Sequence, residues 1–114
     1  MKISPTPKVD YIAVHWYGGT SASSFKTRMQ DIYNKFQIPL WITEFACQTT
    51  SSSIASASKF SPDAVISFLD SVIPWMQAQP WIFRYAWHDS GIGTSALWNS
   101  DGTLTATGIK YASY

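Results

Sequence analysis

The segment Pro39-Leu40-Trp41-Ile42-Thr43-Glu44-Phe45-Ala46-Cys47 decides the fold. Its central residues are β-branched, aromatic or aliphatic, and a proline directly before them is tolerated because the first residue of a strand can lack an N–H donor. Two further segments share this composition, and Pro80 precedes one of them as Pro39 precedes the quoted one. The sequence therefore predicts three strands, at about residues 9–17, 40–46 and 81–87.

Two helical patterns lie between these strands. Apolar residues recur at helical spacing along one face of each pattern, namely Phe25, Met29, Ile32, Tyr33 and Phe36 in the first and Val65, Phe68, Leu69, Val72, Ile73 and Met76 in the second. Ser61 is the expected N-cap of the second helix, and Pro74 is expected to kink it or end it early. A shorter helix is expected within residues 104–114. Alternating strands and helices predict an α/β fold, a parallel sheet covered by helices.

Composition places the chain among globular proteins and excludes several functions. It has 114 residues, 46 % hydrophobic and 16 % aromatic, with a formal net charge of +1. This balance argues against disorder and against binding to nucleic acid or an anionic membrane surface. No apolar run approaches the ~20 residues of a membrane span, and residues 1–8 lack the apolar region of a secretory signal. Two histidines and the single Cys47 predict no metal site and no cofactor, and Cys47 is expected to be a buried hydrophobe.

Glu44 is the most informative residue, because it is the only glutamate in the chain and lies in an otherwise apolar strand. The two-residue period of a strand predicts that it shares a face with Ile42. One interpretation is a structural carboxylate bonded to an arginine or to a backbone donor. The other is a catalytic carboxylate at the carboxyl end of a parallel strand, where α/β folds place their sites. The apolar flanks favour the catalytic interpretation, because a carboxylate there is costly unless it is paired or functional.

Three other residues at strand ends are candidate binding residues. His15 and Tyr17 share one face of the first strand and are expected to orient Glu44 or bind a sugar hydroxyl; the alternative is a core histidine and a packed tyrosine. Trp87 ends the third strand, on the face predicted for Phe83 and Tyr85, and is either a stacking platform for a pyranose ring or a core aromatic. Arg84 is expected to be structural, with Asp70 on the preceding helix as a plausible partner.

Three segments carry a family resemblance, and these are residues 10–18, residues 39–47 and Arg84-Tyr85-Ala86-Trp87. Together with residues 95–99 and 101–105 they resemble the catalytic domain of glycoside hydrolase family 128, of the alkali-sensitive linkage protein type. The resemblance implies a (β/α)8 TIM barrel that acts on β-1,3-glucan with retention. It implies that Glu44 is the nucleophile at the end of strand seven, and that Tyr17 and Trp87 are its sugar-binding neighbours.

The chain departs from this family in its length and in its carboxylates. A complete barrel takes about 250 residues, whereas 114 residues supply three strands, so the expectation is a single partial domain over residues 1–114, the C-terminal part of the barrel. The acid/base glutamate that the resemblance implies belongs to strand four and is missing from this sequence. Retention needs two carboxylates, and Asp89 is a poor substitute. The chain alone is therefore expected to be weakly active or inactive.

Two alternatives to a glucanase remain at this point. One is a glucan-binding remnant that no longer cleaves, and the other is an unrelated small open α/β domain. The expected ligand is a β-glucan or its oligosaccharides, and self-association through exposed sheet edges is expected as well. The resemblance implies an extracellular or cell-wall location, as in fungal cell-wall polysaccharide degradation.

Overall fold

A three-stranded parallel sheet forms the centre of the computed structural model, which describes residues 7–48, 60–88 and 93–114. The elements are β1 (Ile12–Gly18), α1 (Ala22–Phe36), β2 (Leu40–Cys47), α2 (Pro62–Ala78), β3 (Ile82–Trp87), a single 3₁₀ turn (Gly93–Ser95) and α3 (Ala106–Ala112). The strand order is β1-β2-β3, and both pairings are parallel. The predicted alternation of strands and helices is therefore confirmed.

The hydrophobic core lies between the sheet and the two long helices. It contains the whole predicted stripe of α2 and most of that of α1, but the prediction was wrong for Phe36, which is 50 % exposed at the end of α1. The largest fully buried side chains include Phe25 and Met29 of α1, Phe68 and Leu69 of α2, and Phe45 of β2. The Phe25 ring lies 5.5 Å from that of Phe45 and 5.7 Å from that of Phe68, so the helices and the sheet share one aromatic centre. The opposite face of the sheet, called here the open face, carries exposed side chains.

Helix α2 begins at its predicted cap but runs past its proline. The Ser61 hydroxyl accepts a hydrogen bond of 3.2 Å from the backbone N–H of Ala64. Pro74 lies within the helix, which ends at Ala78. The expectation of an early end was wrong, because the helix accommodates the proline: the ring of Pro74 crowds the carbonyl of Asp70, which also loses its helical N–H donor. Both residues lie on the exposed side of the helix, where water can satisfy that carbonyl.

Replacing Ser61 with Ala tests this cap. We expect Ser61→Ala to lower the free energy of unfolding by about 1 kcal/mol, because the N–H of Ala64 loses its acceptor. Urea unfolding followed by far-ultraviolet circular dichroism measures the change. Ser67→Ala is the matched control, since Ser67 is exposed in the middle of the same helix. Equal losses in the two variants would contradict a capping role.

The Arg84–Asp70 pairing was predicted wrongly. Asp70 instead accepts from Lys110 Nζ at 2.9 Å and from the Tyr114 hydroxyl at 2.7 Å, and these contacts hold the pKa of its carboxyl below the ordinary value. Arg84 donates to the backbone carbonyl of Phe83 and lies 4.4 Å from the ring of that residue. The reason is a register shift in β3, which pairs Arg84 with Trp41 and breaks the regular alternation on which the prediction rested.

The 3₁₀ turn and the segment that follows it lie against the carboxyl ends of β2 and β3. Ser95 is buried; its carbonyl accepts from Trp87 Nε1 at 2.8 Å, and its hydroxyl donates to the carbonyl of Cys47 at 3.3 Å. Helix α3 packs closely on this segment at Gly108, where an added Cβ would lie 2.1 Å from the carbonyl oxygen of Leu97. The carboxyl end of the sheet is thus held in place by residues far along the chain.

Candidate active site

Three polar side chains meet on the open face at the carboxyl end of β1 and β2. The Tyr17 hydroxyl donates a short hydrogen bond to Glu44 Oε2, and His15 Nδ1 lies 3.2 Å from the same oxygen. The side chains of His15 and Glu44 are 55 % and 32 % exposed, so both reach solvent. The structure therefore brings together Glu44, His15 and Tyr17, which were three of the four predicted site residues.

A β-bulge at Thr43 puts Glu44 on this face. Val14 pairs with Ile42, but His15 pairs with Glu44, so Thr43 is an extra residue in β2. The prediction that Glu44 shares a face with Ile42 was wrong, since Ile42 is fully buried in the core. A bulge breaks the two-residue alternation of a strand and re-aims the side chains that follow it. It turns Glu44 toward the open face and leaves Phe45 in the core.

The two contacts leave one oxygen of the carboxylate available. Both fall on Oε2, and within the described part of the chain no hydrogen bond reaches Oε1. A carboxylate held through one oxygen keeps a fixed orientation while its second oxygen can attack or accept a proton. The arrangement suits nucleophilic or acid/base chemistry on a ligand that lies across the open face.

His88 is a neighbour of this site that sequence reasoning did not assign to it. Its ring lies 5.8 Å from that of Tyr17 in an edge-to-face arrangement, and its backbone N–H donates to the carbonyl of Phe45 at 3.0 Å. The signal was present in the strand order, because the residue that follows β3 must lie beside the end of β2. Asp89, the other candidate at this end of β3, lies outside the described residues.

Trp87 does not join the other predicted site residues. It is 8 % exposed, pairs with Phe45 and packs edge-on against that ring at 5.0 Å. The indole is thus on the helix-covered side of the sheet, which matches the core alternative. The stacking-platform interpretation assumed regular alternation through β3, whereas two irregularities in its pairing with β2 change which side chains share a face.

Cys47 is a buried thiol, as predicted. It is fully buried at the end of β2, and this burial raises the pKa of its thiol to about 12. A thiol that stays protonated at neutral pH is a poor nucleophile and a poor metal ligand. Among residues 7–48, 60–88 and 93–114, no three histidine, cysteine or acidic side chains cluster as a metal site would need.

Comparison with known proteins shows the family to which this chain belongs. The model of the glycosyl hydrolase catalytic core matches residues 1–111. The chain belongs to the glycosyl hydrolase catalytic core family. This match overturns the alternative of an unrelated small open α/β domain.

Two relatives are similar to nearly all of this chain. The alkali-sensitive linkage protein 1 of Schizosaccharomyces pombe is 31 % identical, and the match covers 93 % of this chain and 20 % of that protein. A family 128 endo-β-1,3-glucanase from Sorangium cellulosum is 28 % identical with a TM-score of 0.77, and the match covers 93 % of this chain and 41 % of that one. The chain therefore spans less than half the length of either relative.

A third relative was solved with oligosaccharides bound. A family 128 endo-β-1,3-glucanase of Amycolatopsis mediterranei, with one glutamate replaced by alanine, was solved in complex with laminaritriose and laminaribiose. It is 26 % identical to this chain, with a TM-score of 0.76. The match covers 91 % of this chain and 44 % of that one. A variant of the same enzyme with a different glutamate replaced holds laminaripentaose.

These comparisons identify the fold of the catalytic core described here. The chain is an α/β domain that forms the C-terminal part of a (β/α)8 barrel, with three strands of its parallel sheet. It is similar to the glucanases of glycoside hydrolase family 128. In the part of the chain that the structure describes, no helix has both the length and the apolar character needed to cross a bilayer.

Proposed function

We propose that this chain is the part of a retaining endo-β-1,3-glucanase that carries the nucleophile, Glu44. The observation that carries the proposal is the convergence of the Tyr17 hydroxyl and His15 Nδ1 on one oxygen of Glu44. This convergence lies at the carboxyl end of parallel strands, the end at which barrel enzymes place their chemistry. The laminari-oligosaccharides bound by the Amycolatopsis relative support a β-1,3-glucan as the ligand.

The proposed reaction has two steps. In the first, Glu44 Oε1 attacks the anomeric carbon, the glycosidic bond breaks, and the leaving oxygen takes a proton from a second carboxylic acid. In the second, that carboxylate removes a proton from water, the water oxygen attacks the anomeric carbon, and the ester bond to Glu44 breaks. Tyr17 and His15 hold Oε2 in both steps, so that Oε1 stays oriented toward the anomeric carbon.

This chain supplies one of the two carboxylates. Glu44 is its only glutamate, and retaining enzymes hold their carboxylates about 5–5.5 Å apart. The two glutamate variants of the Amycolatopsis relative are in keeping with a pair of functional carboxylates in that enzyme. We therefore propose that the isolated chain binds glucan oligosaccharides but turns them over slowly or not at all. An extracellular or cell-wall location is part of the same proposal, since that is where such polymers lie.

Titration with laminarihexaose tests this proposal. We expect amide chemical shifts to change near His15, Tyr17 and Glu44, with little release of reducing ends from laminarin. Cellohexaose, which has β-1,4 bonds, is the matched ligand control and is expected to give smaller changes. Shift changes confined to helices α1 and α2 would contradict the site. Binding that persists in a complete barrel without cleavage would favour the glucan-binding remnant.

A further inference from the structure

His88 adds a ring to the site formed by Glu44, His15 and Tyr17. Its imidazole lies 5.8 Å from the Tyr17 ring, and the two ring planes are 82° apart, so the edge of one ring meets the face of the other. The His15 ring lies 6.5 Å from that of Tyr17 in a similar arrangement, with the planes 84° apart. Both distances are within the range of favourable edge-to-face pairs. Tyr17 therefore contacts two imidazoles, one from its own strand and one from the residue that follows β3.

The Tyr17 side chain must keep one orientation to reach Glu44. Its hydroxyl donates to Oε2 across the β1–β2 pair, and the staggered minima of its χ1 angle place that hydroxyl in different positions. Tyr17 is the last residue but one of β1, and Gly18 after it has no side chain that could restrain the ring. An edge-to-face contact shifts the balance between two rotamers by about two- to tenfold. Contacts with neighbouring rings therefore help to hold the hydroxyl on Glu44.

Hydrogen bonds fix the backbone that carries the His88 ring. The N–H of His88 donates to the carbonyl of Phe45 at 3.0 Å, which ties this residue to β2. The preceding residue, Trp87, donates its backbone N–H to the Tyr111 hydroxyl at 3.2 Å and its indole N–H to the carbonyl of Ser95 at 2.8 Å. A side chain on a fixed backbone can restrain a neighbour that is itself free to rotate. His88 is therefore placed to support the Tyr17 ring.

We propose that His88 is a positioning residue, whose ring holds the Tyr17 hydroxyl on Oε2 of Glu44. The contacts run from the His88 ring to the Tyr17 ring, and from the Tyr17 hydroxyl to the carboxylate. His88 acts through the edge of its ring and not through a proton given to the ligand. Each of the three strands then contributes to the orientation of one carboxylate, β3 through the residue that follows it. The effect of His88 on the reaction rests on the proposed function, whereas its effect on the orientation of Glu44 does not.

Glu44 can be observed by itself, because it is the only glutamate of the chain. Cell-free synthesis with glutamate that carries carbon-13 at Cδ gives a protein with one labelled carboxyl group. The chemical shift of this group in a nuclear magnetic resonance spectrum responds to the hydrogen bonds that it accepts. Tyr17→Phe removes the donor hydroxyl and sets the size of the full change. We expect His88→Ala to move the resonance in the same direction, by at least a quarter as much.

Further variants separate a positioning role from other roles. His88→Phe keeps a ring edge of similar size without the ring nitrogens, and it is expected to move the resonance by less than a tenth of the Tyr17→Phe change. His88→Gln also removes the ring, and it repeats the His88→Ala test with a larger side chain. In a chain that already carries Tyr17→Phe, His88→Ala is expected to add no further change, because the hydroxyl through which it acts is gone. Phe36→Ala is the matched control: this ring is 50 % exposed at the end of α1, and its loss is expected to leave the resonance unchanged.

Circular dichroism shows which variants are folded, and the outcomes are read from those. An unchanged Glu44 resonance in folded His88→Ala or His88→Gln overturns the positioning role. Equal changes in His88→Phe and His88→Ala overturn it as well, because the ring nitrogens and not the ring edge would then act. A further change by His88→Ala in the Tyr17→Phe chain contradicts the role of Tyr17 as the link. A resonance that behaves as expected, in a chain to which laminarihexaose does not bind, supports the role of His88 and contradicts the glucanase function.

Discussion

Glu44→Gln is expected to lower laminarin hydrolysis by roughly 10³-fold or more when this chain is joined to the part of the Sorangium enzyme outside their match, in one polypeptide called here the fusion. Glutamine has nearly the shape of glutamate and can accept the hydrogen bond of Tyr17, but its amide cannot attack the anomeric carbon. The loss should fall on kcat rather than on KM, because binding of the glucan remains. Reducing-end release over a range of laminarin concentrations measures both constants.

The control for this variant is an exposed carboxylate outside the site. Asp10 precedes β1 and pairs with Lys8 at 3.3 Å, and both side chains are largely exposed. Asp10→Asn removes the same charge and is expected to leave hydrolysis within twofold of the parent. Glu44→Gln must also leave the fusion folded, as measured by circular dichroism. A Glu44→Gln fusion that keeps a tenth or more of the activity would exclude Glu44 as the nucleophile.

Gly108→Ala is expected to lower the free energy of unfolding by about 3 kcal/mol, at the upper end of what overpacking costs. In most helix positions alanine stabilises relative to glycine by up to about 1 kcal/mol, so the predicted sign is the reverse of the usual one. The reason is that the new Cβ would lie 2.1 Å from the carbonyl oxygen of Leu97, and a backbone atom cannot rotate away as a side chain can. Helix α3 must therefore separate from the segment that it covers.

Gly19→Ala is the matched control for this substitution. Among the described residues, a Cβ at Gly19 would meet the Phe60 ring alone, at 3.7 Å, which is an ordinary contact distance. We expect the midpoint of thermal unfolding to change by a few degrees at most for Gly19→Ala, and to fall by ten degrees or more for Gly108→Ala. A neutral or stabilising Gly108→Ala would mean that α3 does not pack against Leu97 as described.

The order of elements could be predicted from the sequence because it depends on long, regular patterns. The apolar stripes through Phe25 and Phe68 extend over several helical turns, so an error at one position changes little. The cap at Ser61 was predictable for a different reason, because it depends only on residues that are close together in the sequence. The effect of Pro74 was not predictable from the sequence, because the free-energy cost of a proline within a helix depends on whether the carbonyl that loses its donor, here that of Asp70, reaches solvent.

The face of the sheet on which each side chain lies was harder to predict, because one extra residue in a strand moves all the side chains that follow it to the other face. One bulge at Thr43 separates Glu44 from Ile42, and irregular pairing in β3 separates Trp87 from the open face. The sequence around Thr43 carries no signal of a bulge, because the bulge arises from the pairing of β2 with β1. The proximity of Glu44 to Tyr17 was nevertheless predictable, because both residues lie at the ends of neighbouring strands.

The hydrogen bonds of Ser95 have a consequence for the order in which the site matures during synthesis. Ser95 is made 48 residues after Cys47, whose carbonyl it binds, and the carbonyl of Ser95 in turn holds the Trp87 indole. Tyr111 is made later still, and its hydroxyl accepts from the backbone N–H of Trp87 at 3.2 Å. While the ribosome is still translating this region, the strand that carries Glu44 has already emerged, but its carboxyl end is not yet tied down. The site around Glu44 is therefore completed late, after the codons for α3 have been read.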